Sequence, residues 1–427
     1  MRDWPPRPGA PRPTDWRTTL WAMVAVQILM SAGQSMVQPL LPLFLKSELG
    51  LAPGQDVELW AGIIAGSHFL TMTIFSPVWG TLADRYGRRI MVIRSSAAVG
   101  VFNLLTILVA NQYQLLGVRL AMGVLSGFGA TATALVGSVA PKEKLGYALG
   151  LLGAGQTVGV VFGPLLGGLI STGFGYRVAF LSTGLVSLAA CLLTATMVRE
   201  DFTAPTRKEL AARPSLLRGM AVMARSPGLP AMFMVLALSR LTIGGLGPVT
   251  SLYVGELGVV AALVPTVAGL AFSVAGVGQA ITAPFLGRLG DRVGYKPILL
   301  ATLAGTALFV LPQAWVTTAW QFLALRFVQG LFLGGVQPAA YAIIGRLAPP
   351  GQQSAAYGLT FSATAMGHFV GPILSGLVGA TFGLRPVFVY TGLLVAADAV
   401  WVAALVRNVG GDGPTRPQGV PPAETEV

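Results

Sequence analysis

From Leu20 onward the chain alternates long apolar runs with short polar intervals. Helices of about 20 apolar residues are needed to cross a hydrocarbon core of about 30 Å. Twelve runs reach that length, at 18–45, 59–80, 90–110, 114–140, 146–171, 177–198, 229–254, 262–286, 298–316, 319–346, 354–382 and 386–407. The longest polar interval separates them six and six. The pattern predicts an all-α membrane protein with twelve transmembrane helices in two six-helix halves. Its parts are an N-terminal tail at 1–17, a first bundle at 18–198, a central loop at 199–228, a second bundle at 229–407 and a disordered tail at 408–427. Prolines crowd the stretch before the first run, and that run is too long for the apolar region of a cleaved signal, so it reads as a retained helix.

Composition agrees with this class: 54% of residues are hydrophobic and 10% charged, well outside soluble usage. The formal charge of +12 would suit nucleic acid, but its distribution argues against that partner. Twenty-two of the 28 lysines and arginines fall in the tails and in one set of alternate loops, which the positive-inside rule assigns to the cytoplasm together with both termini. The other side carries Lys46, Arg177 and Arg385, and the remaining three, Arg119, Arg240 and Arg326, lie inside helices. Cys191 is the single cysteine, so neither a disulfide nor a thiolate metal site is available. The chain shows no nucleophile with its base, no metal cluster and no phosphate loop, which argues against an enzyme and calls for no cofactor or metal.

The chain is also duplicated. "GTLADRYGRRI" at 80–90 returns as "GRLGDRVGYKPIL" at 287–299, displaced by 207 residues. Arg119 and Gly123 match Arg326 and Gly330 at the same displacement. Gly150, Gly159, Gly163, Pro164 and Gly168 match Gly358, Gly367, Gly371, Pro372 and Gly376 at 208. Parallel six-helix repeats are a known plan of transporters.

On these motifs the chain resembles the major facilitator superfamily over essentially its whole length. "GTLADRYGRRI" is similar to that family's loop signature between the second and third helices. "GLLGAGQTVGVVFGPLLGG" resembles the fifth-helix signature of proton-linked antiporters, and Gly33, Pro39 and Pro42 fit the first-helix pattern of twelve-helix drug:proton antiporters. Within that branch, "SPVWGTLADRYGRR" and "LYVGELG" resemble the bacterial MdtG-like efflux group. None of these motifs specifies a substrate.

Each motif has a physical reading beside the resemblance. Gly80 and Gly87 are expected to let the chain turn between helices, and Arg85, Arg88 and Arg89 to anchor that turn on an anionic membrane face. Gly287, Asp291 and Arg292 repeat the device. Two readings stand for Asp84. It neutralises its basic neighbours, or, as the resemblance implies, it latches the two halves when the cytoplasmic side is shut. Gly155, Gly159, Gly163 and Gly167 recur every four residues, a small-residue groove for close helix approach, with Pro164 expected to bend the helix. Ala363, Gly367, Gly371, Ser375 and Gly379 repeat the groove beside Pro372. It is packing alone, or a seam that slides during transport.

By resemblance, helices one, four, seven and ten line the cavity. They carry Gln27, Gln34 and Gln38, spaced by seven and four on one face, then Arg119, Arg240, Arg326, Gln329 and Gln337. A buried arginine or glutamine serves either helix packing or substrate. No carboxylate is expected in the cavity, Asp398 being placed on a peripheral twelfth helix. His68 and His368, the two histidines of the chain, are structural or carry protons with Asp84 and Arg119. The expectation is a monomeric plasma-membrane exporter of small amphipathic molecules, anionic or neutral, working by proton antiport and alternating access, its partners being substrate, protons and lipid bilayer. The alternatives are an exporter or facilitator of one metabolite, such as a sugar or organic acid, or a non-transporting receptor on the same scaffold.

Overall fold

The structure is a computed structural model that describes residues 16–51, 56–200, 202, 228–348 and 353–406. Most of the tail expected at 1–17, nearly all of the loop expected at 199–228 and the tail expected at 408–427 lie outside the described residues, as does the side chain of Asp84.

Among the described residues there are twelve helical spans long and apolar enough to cross a membrane: Trp16–Ser47, Val57–Ala83, Arg88–Thr106, Gln112–Val139, Leu145–Phe174, Tyr176–Met197, Leu229–Glu256, Ala261–Val293, Tyr295–Trp315, Ala319–Leu347, Leu359–Phe382 and Leu384–Leu405. Each falls on one of the apolar runs, and they are called the first to twelfth spans below. The largest departure is at the repeated motif. The second helix runs unbroken from Val57 to Tyr86, so Gly80 is an exposed mid-helix residue and makes no turn. Gly87 turns the chain alone, at φ 96°, a backbone geometry that side-chain-bearing residues rarely adopt. The second copy behaves identically: Gly287 is helical within Val264–Val293 and Gly294 turns at φ 91°. The fourth span, in contrast, breaks at Ser126 and Gly127, the latter at φ 115°.

Each half closes on its own apolar core. Met23, Val26, Met30, Phe128 and Leu135 are buried together in the first, and Leu229, Met232, Leu299, Ile343 and Val402 in the second. The first span nests against the fifth and sixth, the second against the fourth; likewise the seventh nests against the eleventh and twelfth, and the eighth against the tenth. The halves join along two seams, second span to eleventh and fifth span to eighth.

Glycine makes both kinds of contact possible. A Cβ at Gly159 would come within 2.6 Å of the Ala32 nitrogen, and one at Gly163 within 2.5 Å of the Ala32 carbonyl. The groove from Gly155 to Gly167 therefore packs on the first span of its own half. The seams use a different face of the fifth and eleventh helices. There Gly269 lies against the Pro164 carbonyl, Gly62 against the Pro372 carbonyl, Gly168 against the Pro265 carbonyl and Gly376 against the Glu58 carbonyl. These contacts all sit toward the arginine-poor end of the bundle. Toward the basic end the second, eighth and eleventh helices expose Ile74, Val78, Phe285 and Phe361.

Candidate functional site

The close approach of the second and eleventh spans, enforced by Gly62 and Gly66 against the carbonyls of Pro372 and Phe369, brings the two histidines to one place. Phe69 stacks on His368 with ring centroids 4.8 Å apart and planes inclined by 17°. His68 meets the edge of the same phenyl ring at 5.4 Å. The imidazoles, one from each half, thus flank a single aromatic side chain across the seam. His68 Nδ1 is buried without a hydrogen-bond partner.

An arginine stands beside each histidine. Arg119, in the fourth span, is 8% exposed, lies within electrostatic reach of His68 and leaves Nε and Nη2 unpartnered. Two unpartnered guanidinium nitrogens in a dry interior are costly, and they mark a place where an acceptor is wanted. Arg240, half-buried near the middle of the seventh span, lies in reach of His368 and of Tyr341 on the tenth. Its Cβ rests against Gly367, one residue before His368, and a Cβ at Gly244 would come 3.0 Å from His368 Nδ1. Small residues let the seventh and eleventh helices close around this group. Arg240 has no ion-pair partner among the described residues.

Of the other residues expected to line the cavity, Gln27, Arg326 and Gln329 are buried and hydrogen-bonded within the protein. Gln27 is 5% exposed and donates from Nε2 to Ser31 Oγ, one turn on in the same helix, at 3.0 Å. Arg326 is 5% exposed and Gln329 1%. Arg326 donates to Thr250 Oγ1 and, at 3.5 Å, to Gln329 Oε1, which also accepts from Gln313 Nε2 at 2.9 Å. The guanidinium lies near the rings of Phe322 and Phe272. That network ties the tenth span to the seventh, eighth and ninth, with Arg326 Nε left buried and without a partner. Gln34 and Gln38 are exposed and Gln337 is half-buried.

At the basic end the sequence reading missed Glu200. Its carboxylate accepts from the backbone nitrogens of Arg88 at 3.1 Å and Arg89 at 2.7 Å, so it sits on the N-terminus of the third helix, where the helix dipole favours a negative charge. Arg89 reaches back from Nη2 to the Ala195 carbonyl at 2.5 Å, and Lys296 does the same to the Ala403 carbonyl at 2.9 Å in the second half. Arg88 is half-buried, whereas Arg85, Asp291 and Arg292 are exposed. Asp291 accepts from the Tyr295 hydroxyl. A basic cluster at a helix start, followed by an acidic residue just past a later span, was the available signal for Glu200.

Two pseudo-symmetric six-span halves, meeting at glycine-lined seams around charged side chains at mid-depth, define a secondary transporter rather than an enzyme. Family comparison places it further: the chain matches the Major Facilitator Superfamily over residues 23–264 and 232–426, and it belongs to that superfamily. It is similar to the Multidrug resistance protein MdtG of Enterobacter lignolyticus, 34% identical over 93% of this chain and 94% of that protein. The MdtG of Yersinia enterocolitica is also 34% identical, over 92% and 94%. In fold it resembles a bacterial homologue of the human lysosomal transporter Spinster in an inward-facing, unoccupied conformation, with TM-score 0.73, 15% identity and coverage of 91% of this chain and 96% of that one. It also resembles the human organic anion transporter MFSD10, with TM-score 0.67, 16% identity and coverage of 91% and 99%. The chain is a multi-pass inner-membrane protein.

Proposed function

We propose that this transporter exports small amphipathic molecules, anionic or neutral, by proton antiport with alternating access, as a monomer with both termini in the cytoplasm. The likeness to the MdtG multidrug resistance proteins over nearly the whole chain supports efflux. The concentration of arginine and lysine at one end supports the orientation. Close seam contacts between the halves toward the opposite end are what one state of an alternating-access cycle requires, and a single chain supplies both sides of each seam. Among the described residues no carboxylate forms an ion pair with Arg119, Arg240 or Arg326, which favours anionic over cationic cargo.

The observation that carries this reading is Arg240. It stands at mid-depth, half-buried, beside His368 and without an ion-pair partner among the described residues, and its guanidinium offers a planar fork of donors to a carboxylate, sulfonate or phosphate. Gln34, Gln38 and Gln337 supply further polar contacts, while the pair His68 and His368, with Arg119 and Asp84, is the proton-responsive part. The test is flux in proteoliposomes under an imposed pH gradient with matched anionic, neutral and cationic amphiphiles. Arg240→Gln is expected to weaken handling of the anion by about 1.5–3 kcal/mol, the worth of a hydrogen bond to a charged group, and to spare the neutral compound. A uniform loss, or a wild type that exports only cations, overturns the reading.

A further inference from the structure

The twelfth span, expected to be peripheral, carries a carboxylate turned into the protein. Asp398 is 1% exposed. Ser239 of the seventh span donates to its Oδ2 at 3.0 Å, while Oδ1 is buried without a partner. The twelfth span packs on the seventh, ninth and eleventh. Their titratable side chains, among those described, are Arg240, Tyr253 and Glu256 on the seventh, Tyr295 and Lys296 on the ninth and His368 on the eleventh. None of them pairs with Asp398 or acts on it electrostatically. Arg240 faces Tyr341 and His368, Lys296 is engaged with the Ala403 carbonyl, and Tyr295 with Asp291.

An ionised carboxylate stripped of water, with one hydrogen bond and no cation, is penalised by several kcal/mol, and such a group takes up a proton instead. Fixing the seventh span to the twelfth needs only an acceptor for Ser239, which an amide would supply. What a carboxyl adds is one exchangeable proton. We propose that Asp398 is a proton-binding site of the transport cycle, protonated in the conformation described and deprotonated when the seventh and twelfth spans separate enough to admit water. The balance is simple: the carboxylate takes one proton from water to become the neutral acid and returns one on rearrangement. The site is coupled to the cargo through one helix, because Ser239 meets Asp398 while the adjacent Arg240 meets His368. This inference rests on the antiport reading above.

Infrared difference spectroscopy on the purified transporter in lipid nanodiscs, titrated over pH, reads the protonation directly. Wild type is expected to show the carbonyl stretch of a buried carboxylic acid at neutral pH, and Asp398→Asn to lack it. In proteoliposomes Asp398→Asn is expected to keep substrate exchange without a gradient and to lose about tenfold or more of gradient-driven accumulation, a coupling of ordinary allosteric size. Ser239→Ala keeps the carboxyl and removes its hydrogen bond, so it is expected to move both the band and the pH midpoint of coupling, and it serves even where Asp398→Asn does not fold. Asp398 is overturned as a proton site by an unchanged spectrum in Asp398→Asn, by gradient-driven accumulation equal to wild type, or by a band and midpoint unmoved in Ser239→Ala. A wild type with no gradient-driven flux overturns the antiport reading itself, and this assignment with it.

Discussion

Along one seam Gly62 and Gly66 lie against the carbonyls of Pro372 and Phe369; along the other Gly269 lies against that of Pro164, and Gly168 against that of Pro265. The backbones repeat, but the side chains do not. At the displacement of 207 residues, His68 and Phe69 become Ala275 and Gly276, and at 208 His368 becomes Val160. The fifth-to-eighth seam is accordingly apolar at mid-depth, with the Cβ position of Gly276 3.1 Å from Val161 Cγ2. Its polar contacts among the described residues include the Thr172–Thr266 hydroxyl pair at 2.7 Å and the bond from Thr266 Oγ1 to the Gly168 carbonyl at 3.3 Å, near the arginine-poor end. Helices whose backbones touch leave no volume for a side chain, so the glycines and prolines of both copies answer to one constraint. Side chains beside the contact are released from it, and one seam has gathered imidazoles and arginines while its twin has stayed a bearing surface.

The broadest test of that contrast jams each seam in turn. Gly62→Leu and Gly269→Leu each drive a side chain into a proline carbonyl of the opposite half and are expected to cost about 1–3 kcal/mol or more by overpacking, with transport abolished in both. Gly163→Leu, aimed at Ser35 and Ala32 of the first span, should do the same within one half. Thermal unfolding in detergent, read beside flux, checks all three; unequal damage at Gly62 and Gly269 breaks the claim of equivalent backbones. Next in size is the motif at the basic end. Asp84→Asn is expected to remove most transport at unchanged expression, and Asp291→Asn much less, since Asp291 is exposed and engaged by Tyr295. Normal flux in Asp84→Asn removes the latch.

A smaller effect is confined to coupling. His68→Gln and His368→Gln are expected to reduce gradient-driven flux while leaving downhill exchange, because both imidazoles lie on the chemical seam. Unchanged proton movement in the double variant would assign them to packing. The smallest effect belongs to the other seam: Thr172→Val removes one hydroxyl pair, worth about 0.5–1.5 kcal/mol, and should lower thermal stability slightly with coupling intact. A coupling defect there would show that the two seams are not divided in the way described.

Legibility followed the range of the physical cause. The twelve spans could be read because bilayer thickness dictates the length of an apolar run, and the halves because the motifs recur in register. Gly80 misled because a glycine in a motif reads as a turn, whereas unbroken backbone hydrogen bonding carries the helix on to Tyr86 and leaves the turn to Gly87. Arg240 and Arg326 look alike in sequence, each alone in an apolar helix. Arg326 is bound by Thr250 and Gln329, whereas Arg240 has no ion-pair partner among the described residues and lies beside His368 and Tyr341, a difference set by which helices the fold places beside them. Gln27, unlike the exposed Gln34 and Gln38, is buried, and its amide is taken locally by Ser31 one turn on in the same helix.

By itself, then, the sequence determined the class, the duplication and the close-packed glycine faces, since each depends on composition, local periodicity or a repeat that needs no partner to be recognised. Only the tertiary structure decided that His68 and His368, 300 residues apart, share the ring of Phe69, that Glu200 sits on the third helix N-terminus, and that Asp398 is buried against Ser239. Those pairings depend on which helix faces which at van der Waals distance. A one-residue rotation of a helix, about 100° at 3.6 residues per turn, would undo any of them without changing the hydrophobic pattern from which the spans were read.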